Sequence, residues 1–196
     1  MRETPTKTTI NDCFAEFRKE ELLDDDNKWY CNKCKDHVQA TKQLEIFKAP
    51  PIIIINLKRF KTGKVQARYS MFGGGGGGGS KIDTEVDFPL EGLDMSQFIQ
   101  GAQKHENMIY DCYAVSNHFG GMGFGHYTAY AKNPLNGKWY DFDDSRYDQV
   151  RPENVVTNAA YNLFYRRRDW HEKIMEEGID YDKLAIKPDM DLVNKK

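Results

Sequence analysis

Between Gly125 and Ser145 the chain reads GHYTAYAKNPLNGKWYDFDDS, two runs rich in alternating aromatic residues on either side of Asn136-Gly137. No other segment restricts the fold as much. Aromatic and β-branched residues at alternate positions favour strands with one face turned inward, and Asn-Gly readily supplies the positive φ of a hairpin turn. Such a hairpin sets His126 and Asp143, seventeen positions apart, on adjacent strands. A carboxylate held against an imidazole fixes its tautomer and steadies its protonated form, which a general base serving a nucleophile requires. Gly125 lets the backbone pass close to the imidazole. Taken singly, each residue also has an ordinary reading: a histidine satisfied within a strand, an Asp-Asp pair closing a turn.

Other segments are less constrained. Thr9 and Asp12 are spaced as a capping box, and Ile10, Cys13, Phe14 and Phe17 follow at i, i+3, i+4 and i+7. That spacing predicts a helix over 10–23 with Cys13 on its apolar face, after a disordered start at 1–9. Beyond the acidic turn Asp24-Asp25-Asp26 stand Cys31 and Cys34, a C-x-x-C spacing that lets two thiolates hold two corners of a tetrahedral zinc site. Free thiols or a redox pair are the alternatives, although no strand–C-x-x-C–helix context surrounds them. His37 is a candidate substitute ligand.

Thr41 to Lys48 alternates as a half-buried strand, and the aliphatic run Ile52 to Leu57 is predicted to be a central strand buried on both faces. The seven glycines from Gly73 to Gly79 cannot hold regular structure, so 61–80 reads as a flexible loop, whether a natural low-complexity insertion or a loop replacement. A short helix over Met95–Ile99, strands over Met108–Ser116 and Tyr161–Arg168, and a glycine-rich loop from Asn117 to Gly125 follow. Cys112 lies in a strand-like run as a small buried thiol. The stretch 169–196 is a polar tail or an appended helix.

Composition removes several classes. With 28 basic and 30 acidic residues the net charge is −2, without the basic run of a nucleic-acid footprint. No apolar run approaches the ~20 residues of a membrane span. Few cysteines and no secretory signal favour a reducing compartment. A 39% hydrophobic and 13% aromatic share in 196 residues suffices for one β-rich core.

The strings GHYTAYAKN and KWYDFDDS resemble the histidine box of the ubiquitin-specific proteases, papain-like cysteine peptidases that remove ubiquitin. WYCNKCKDHVQATKQLEIFKAPPIIIINLKRF, VDFPLEGLDMSQFI and YAVSNHFGGMGFGHYTAY follow that family in order, so the resemblance spans about Ile10 to Arg168. It implies an α+β, papain-like fold in which residues 10–168 are the C-terminal half of a catalytic domain. This half comprises the antiparallel β palm with the His and Asp (108–168) and part of the fingers (about 25–48). It resembles the subgroup whose domain is split by an insertion.

The resemblance further implies attack by a cysteine thiolate, with His126 as base and then acid, Asp143 orienting it and Asp144 in support. Asn117, His118, Gly125 and Tyr127 would line the approach of the substrate's Gly-Gly tail. Cys31 and Cys34 would be half of a four-cysteine structural zinc site. The family's cysteine box, G-L-x-N-L-G-N-T-C-F, does not occur in this chain, so the nucleophile is expected in a complementary N-terminal half and the chain alone is expected to be inactive. A catalytically inactive module that binds ubiquitin or complements that half is the alternative. Expected partners are ubiquitin, ubiquitinated proteins and the complementary half, in the cytoplasm or nucleus, with neither nucleic acid nor membrane.

Overall fold

A computed structural model describes residues 8–60, 81–101, 108–121 and 124–177. The glycine run, most of the N-terminal start and the last part of the tail lie outside the described residues.

The hydrogen-bonding side chains of Thr9 and Asp12 open the fold. The Asp12 N–H donates to Thr9 Oγ1 at 3.2 Å and the Thr9 N–H donates to Asp12 Oδ2 at 2.8 Å, the reciprocal capping box expected from their spacing. Strand β1 (Thr8–Thr9) therefore turns directly into α1 (Ile10–Phe17). Next come β2 (Glu21–Leu22), β3 (Trp29–Cys31), β4 (Asp36–Val38) and β5 (Thr41–Lys42); β2 pairs with β5 and β3 with β4. They are followed by β6 (Ile52–Asn56), by β7 (Val86–Asp87), which lies parallel to β1, and by β8 (Leu93–Asp94). The long strands are β9 (Ile109–Gly120), β10 (Gly125–Lys132), β11 (Trp139–Asp143), β12 (Arg146–Val150) and β13 (Ala160–Arg167), and α2 (Arg168–Glu177) follows the last.

These long strands with β6 and β8 form a seven-stranded antiparallel sheet ordered β12-β11-β10-β9-β13-β6, with β8 beside the start of β9. Val115, Leu163, Tyr165 and Trp139 of the sheet close over Ile10 and Phe14 of α1 and over Met95, Phe98 and Ile99. Phe14 stacks on Phe98 at 4.5 Å between ring centres. Buried phenols need partners: Tyr110 Oη donates to the Pro50 carbonyl at 2.5 Å and Tyr165 Oη to the Pro89 carbonyl at 2.6 Å. Buried Arg59 ties three segments together. Its Nε donates to the Ala160 carbonyl at 2.6 Å, and its Nη1 donates to those of Ile82 and Thr84 at 2.9 and 2.8 Å.

Four elements differ from expectation. α1 ends at Phe17 rather than at residue 23, because Lys19, Glu20 and Glu21 break the apolar spacing and the chain leaves to pair Glu21–Leu22 with Thr41–Lys42. Of the strand expected over 41–48 only Thr41–Lys42 forms, with Ile46 making a single bridge to Ile99. β6 is an edge strand, not a central one: Ile53 and Ile55 pack on the core, while Ile52 and Ile54 are 43% and 60% exposed. Four consecutive isoleucines carry no polar alternation, so the pattern could not separate a strand between two neighbours from one at the rim. The expected loop from 117 to 125 is mostly strand, since β9 continues to Gly120 and Gly120 pairs with Gly125. Here glycine permits two backbones to approach closely: an added Cβ on Gly120, whose φ is +109°, would lie 2.8 Å from Gly125 Cα.

Candidate active site

The β10–β11 hairpin is held at its far end by buried Trp139 and by a turn in which Gly137 adopts φ 69° and donates to the Asn133 carbonyl at 2.9 Å. The ladder between the two strands runs from Lys132–Trp139 to Ala129–Phe142. Past that last pair, a side-chain contact continues the join: His126 Nε2 lies 2.5 Å from Asp143 Oδ1. An ionised carboxylate can only accept, so the proton sits on Nε2 and Nδ1 is left with its lone pair. Hydrogen bonding to Asp143 raises the His126 pKa above the usual imidazole value; desolvation opposes it, and the nearby charges of Asp143 and then Asp144 add to the rise.

Asp144 occupies the turn between β11 and β12 with φ 50°, which a short polar side chain tolerates. Ligand-capable atoms of His126, Asp143 and Asp144 all lie within 4.8 Å of one another.

The expected substrate-lining residues divide into two pairs. Gly125 and Tyr127 are exposed, whereas Asn117 and His118 are buried behind them. Asn117 Nδ2 donates to Thr128 Oγ1 at 3.3 Å. The His118 ring sits in an aromatic cage, 4.7 Å from Tyr127, 5.4 Å from Phe60 and 5.7 Å from Tyr161 between ring centres. Burial, and next the Lys81 ammonium, lower its pKa; Lys81 Nζ donates to the His118 carbonyl at 2.5 Å. The same ring explains Gly125, since a Cβ there would collide with His118 Nε2 and stand 2.6 Å from the Phe119 carbonyl oxygen. Gly125 thus makes room for His118, not for His126. Sequence reasoning missed Phe60, Lys81 and Tyr161, which only tertiary folding brings to this histidine.

None of the four cysteines is disulfide-bonded. Cys112 is buried between strands, and desolvation pushes its thiol up to about 12. The Cys13 thiol is likewise raised by burial on α1. Among the described residues no thiol is a hydrogen-bond partner of His126.

Cys31 and Cys34 flank the β3–β4 turn, where Lys35 has φ 58° and the Cys34 N–H donates to Cys31 Sγ at 3.5 Å. Backbone N–H groups of Cys34 and then Lys33 lower the Cys31 pKa. The turn thus carries two thiols three residues apart. His37 turns instead to Tyr30, 5.3 Å between ring centres, and no third ligand group among the described residues joins the two thiols.

A carboxylate-oriented imidazole whose second ring nitrogen has no hydrogen-bond partner among the described residues, at the end of an antiparallel sheet, has the arrangement that a general base requires. The family model of ubiquitin carboxyl-terminal hydrolases matches residues 6–165, and this chain belongs to that family of cysteine proteases. It is 46% identical over 160 residues to ubiquitin carboxyl-terminal hydrolase 12 of Saccharomyces cerevisiae, a match covering 82% of this chain and 12% of that protein. With ubiquitin carboxyl-terminal hydrolase 4 of Pongo abelii the identity is 44% over 169 residues, covering 86% and 16%. The chain thus spans less than a fifth of the length of these relatives.

The fold resembles the SAGA Ubp8/Sgf11/Sus1/Sgf73 DUB module bound to ubiquitin aldehyde, with TM-score 0.65 and 29% identity over 84% of this chain and 34% of that one. A second structure of the Ubp8-Sgf11-Sgf73-Sus1 SAGA DUB module gives TM-score 0.62 and 30% identity over 83% and 32%. The α+β, papain-like fold class is therefore that of the deubiquitinases.

Proposed function

We propose that this chain is the base-bearing part of a deubiquitinase, and that its cysteine nucleophile comes from a preceding segment outside it. The His126–Asp143 pair carries this reading: the carboxylate sets the tautomer, and among the described residues neither a thiol nor any other group hydrogen-bonds Nδ1. In the assembled site Nδ1 takes the proton of the incoming cysteine, and the thiolate attacks the carbonyl of the terminal glycine of ubiquitin. The C–N bond breaks, the imidazolium returns its proton to the departing lysine amine, and water then hydrolyses the thioester with His126 again as base. Asp143 steadies the imidazolium, and Asp144 adds a second negative charge to the same end. Gly125 and Tyr127 face the substrate tail, while Asn117 and His118 support them from behind.

The groove between α1 and β6 supports a docking role for the missing segment. It encloses about 1030 Å³ and is lined by Phe14, Phe17, Ile46, Ile52, Ile54 and Leu57, an apolar surface of the kind that a partner covers. Cys31 and Cys34 would hold a structural zinc ion together with two ligands from elsewhere, tying the fingers together. Free thiols suit a reducing compartment, the cytosol or nucleus.

The test is intact-mass analysis after treatment with ubiquitin bearing a thiol-trapping C-terminal warhead, with and without the cysteine-bearing segment. Labelling of that segment only in the presence of this chain, and its loss in His126→Ala, is the expected result. An adduct on this chain alone would overturn the assignment. Binding of ubiquitin without any labelling would instead favour a non-catalytic module.

A further inference from the structure

Strand β9 loses its outer neighbour close to the rung that holds His126. The first residue of β13, Ala160, lies opposite Asn117, and one position further on the His118 N–H donates to the Ala159 carbonyl at 2.9 Å. A regular antiparallel rung returns that bond, from the Ala159 N–H to the His118 carbonyl. Here the Ala159 N–H turns away to Thr157 Oγ1 at 3.3 Å, and Lys81 Nζ takes the His118 carbonyl at 2.5 Å. Beyond this point Phe119 and Gly120 pair with β10 alone among the described residues, through their rungs to His126 and Gly125. The ammonium thus replaces the ladder bond that the sheet fails to make.

Lys81 stands on a fixed base. Its backbone bridges Phe60, the Ile82 N–H donates to the Arg59 carbonyl at 2.7 Å, and Arg59 Nη1 donates back to the Ile82 carbonyl at 2.9 Å. The Lys81 side chain is 12% exposed, whereas that of Asp83, whose Oδ1 lies 3.7 Å from the ammonium, is 68% exposed. A long ion pair to so exposed a carboxylate contributes little, which leaves the His118 carbonyl as the main partner in a place with little water. A charged donor makes that bond a strong one, and its loss would strand a buried acceptor. Strand β10 is therefore held on one side by Asp143 of β11 and on the other by β9, whose own outer tie is Lys81.

We infer that Lys81 is a positioning residue for the catalytic base: by holding the His118 carbonyl it fixes the end of β9, and through the Phe119 rung it fixes where His126 stands. The inference rests on the deubiquitinase reading above. Lys81 touches neither the substrate nor the reacting atoms and acts through backbone alone. A base has to stay within hydrogen-bond reach of the proton it takes, and a misplacement of about 1 Å is enough to slow such a step roughly a hundredfold.

The test uses this chain together with the cysteine-bearing segment, and as substrate ubiquitin joined to a lysine Nε in a short peptide. Lys81→Met, which keeps the stem and removes the donor, is expected to lower kcat by about tenfold with little change in KM. Lys81→Arg, which keeps a charged donor, should restore most of it, and Asp83→Asn, which removes only the outer ion pair, should leave both constants as they are. In the chain alone, Lys81→Met should displace the His126 imidazole NMR signals and leave the Trp139 indole signal, at the far end of the hairpin, in place. A raised KM with kcat unchanged would overturn the inference and make Lys81 a wall of the substrate path. Unmoved His126 signals, or a loss that Lys81→Arg does not restore, would overturn it as well. Displacement of Trp139 along with His126 would also overturn it, assigning Lys81 to the stability of the whole sheet. If the unsubstituted assembly failed to cleave while Lys81→Met still displaced His126 alone, the protease reading would fall and the placement of His126 by Lys81 would stand.

Discussion

Asp143 reaches His126 across two strands that have ceased to pair: the last ladder rung is Ala129–Phe142, and the 2.5 Å contact lies beyond it. Near their open ends the two strands are joined by this side-chain pair, whose strength depends on pH. The folded-state pKa of His126 is raised, first through the hydrogen bond to Asp143. The pair's contribution to stability is therefore full below the ordinary imidazole value and is lost as pH rises through the raised one. Asp143→Asn should bring the His126 titration, followed by NMR, down toward the ordinary value and flatten this part of the pH dependence. An unmoved titration would show that Asp143 does not govern the imidazole.

Gly125→Ala tests the relationship between the hairpin and the buried histidine behind it. The new methyl group meets His118 Nε2 and the Phe119 carbonyl, one of them backbone that cannot swing aside. Overpacking of this kind costs about 1–3 kcal/mol, and the strain falls on the residue before the base. Lower chemical-denaturation stability and a shifted His126 NMR signal are expected. Gly125→Ala combined with His118→Ala should recover part of the loss, because it removes the ring while leaving the carbonyl clash.

Sequence patterning made the His126–Asp143 hairpin legible because alternation and the Asn136-Gly137 turn are local, and the capping box of α1 for the same reason. Patterning did not resolve β6, since Ile52 to Ile55 are equally apolar whether the strand has one neighbour or two. The glycines at 120 and 125 read as loop residues, although they sit where two strands and an imidazole need the space a side chain would fill. The cage around His118 joins Phe60, Lys81, Tyr127 and Tyr161, residues that no local spacing relates. At Cys31 and Cys34 the spacing offered two thiol ligands without fixing what they bind, and the structure adds the backbone N–H donors that favour the Cys31 thiolate.

The thiols should differ in reactivity according to their surroundings. Cys31 is lowered by backbone donors, Cys13 is raised by partial burial and Cys112 is pushed up to about 12. Since the thiolate is the nucleophile, iodoacetamide near neutral pH should modify Cys31 first and Cys112 only after unfolding, as read by peptide mass mapping. Added zinc together with the cysteine-bearing segment should protect Cys31 and Cys34. Protection by zinc with this chain alone would mean that ligands within the chain complete the site.

Ile54 offers the sharpest separation between folding and assembly. Its side chain is 60% exposed on the edge strand β6, so Ile54→Lys should change the stability of the chain by no more than about 0.5 kcal/mol, as surface substitutions usually do. An uncharged, apolar edge strand also invites pairing with another chain, and an edge lysine blocks it. In sedimentation velocity the unsubstituted chain should self-associate with rising concentration, and Ile54→Lys should remain monomeric with an unchanged circular dichroism spectrum. The same substitution should weaken docking of the cysteine-bearing segment and with it warhead labelling, while the His126–Asp143 titration stays as it was. If Ile54→Lys instead left both self-association and labelling unaltered, the groove between α1 and β6 would not be the docking surface.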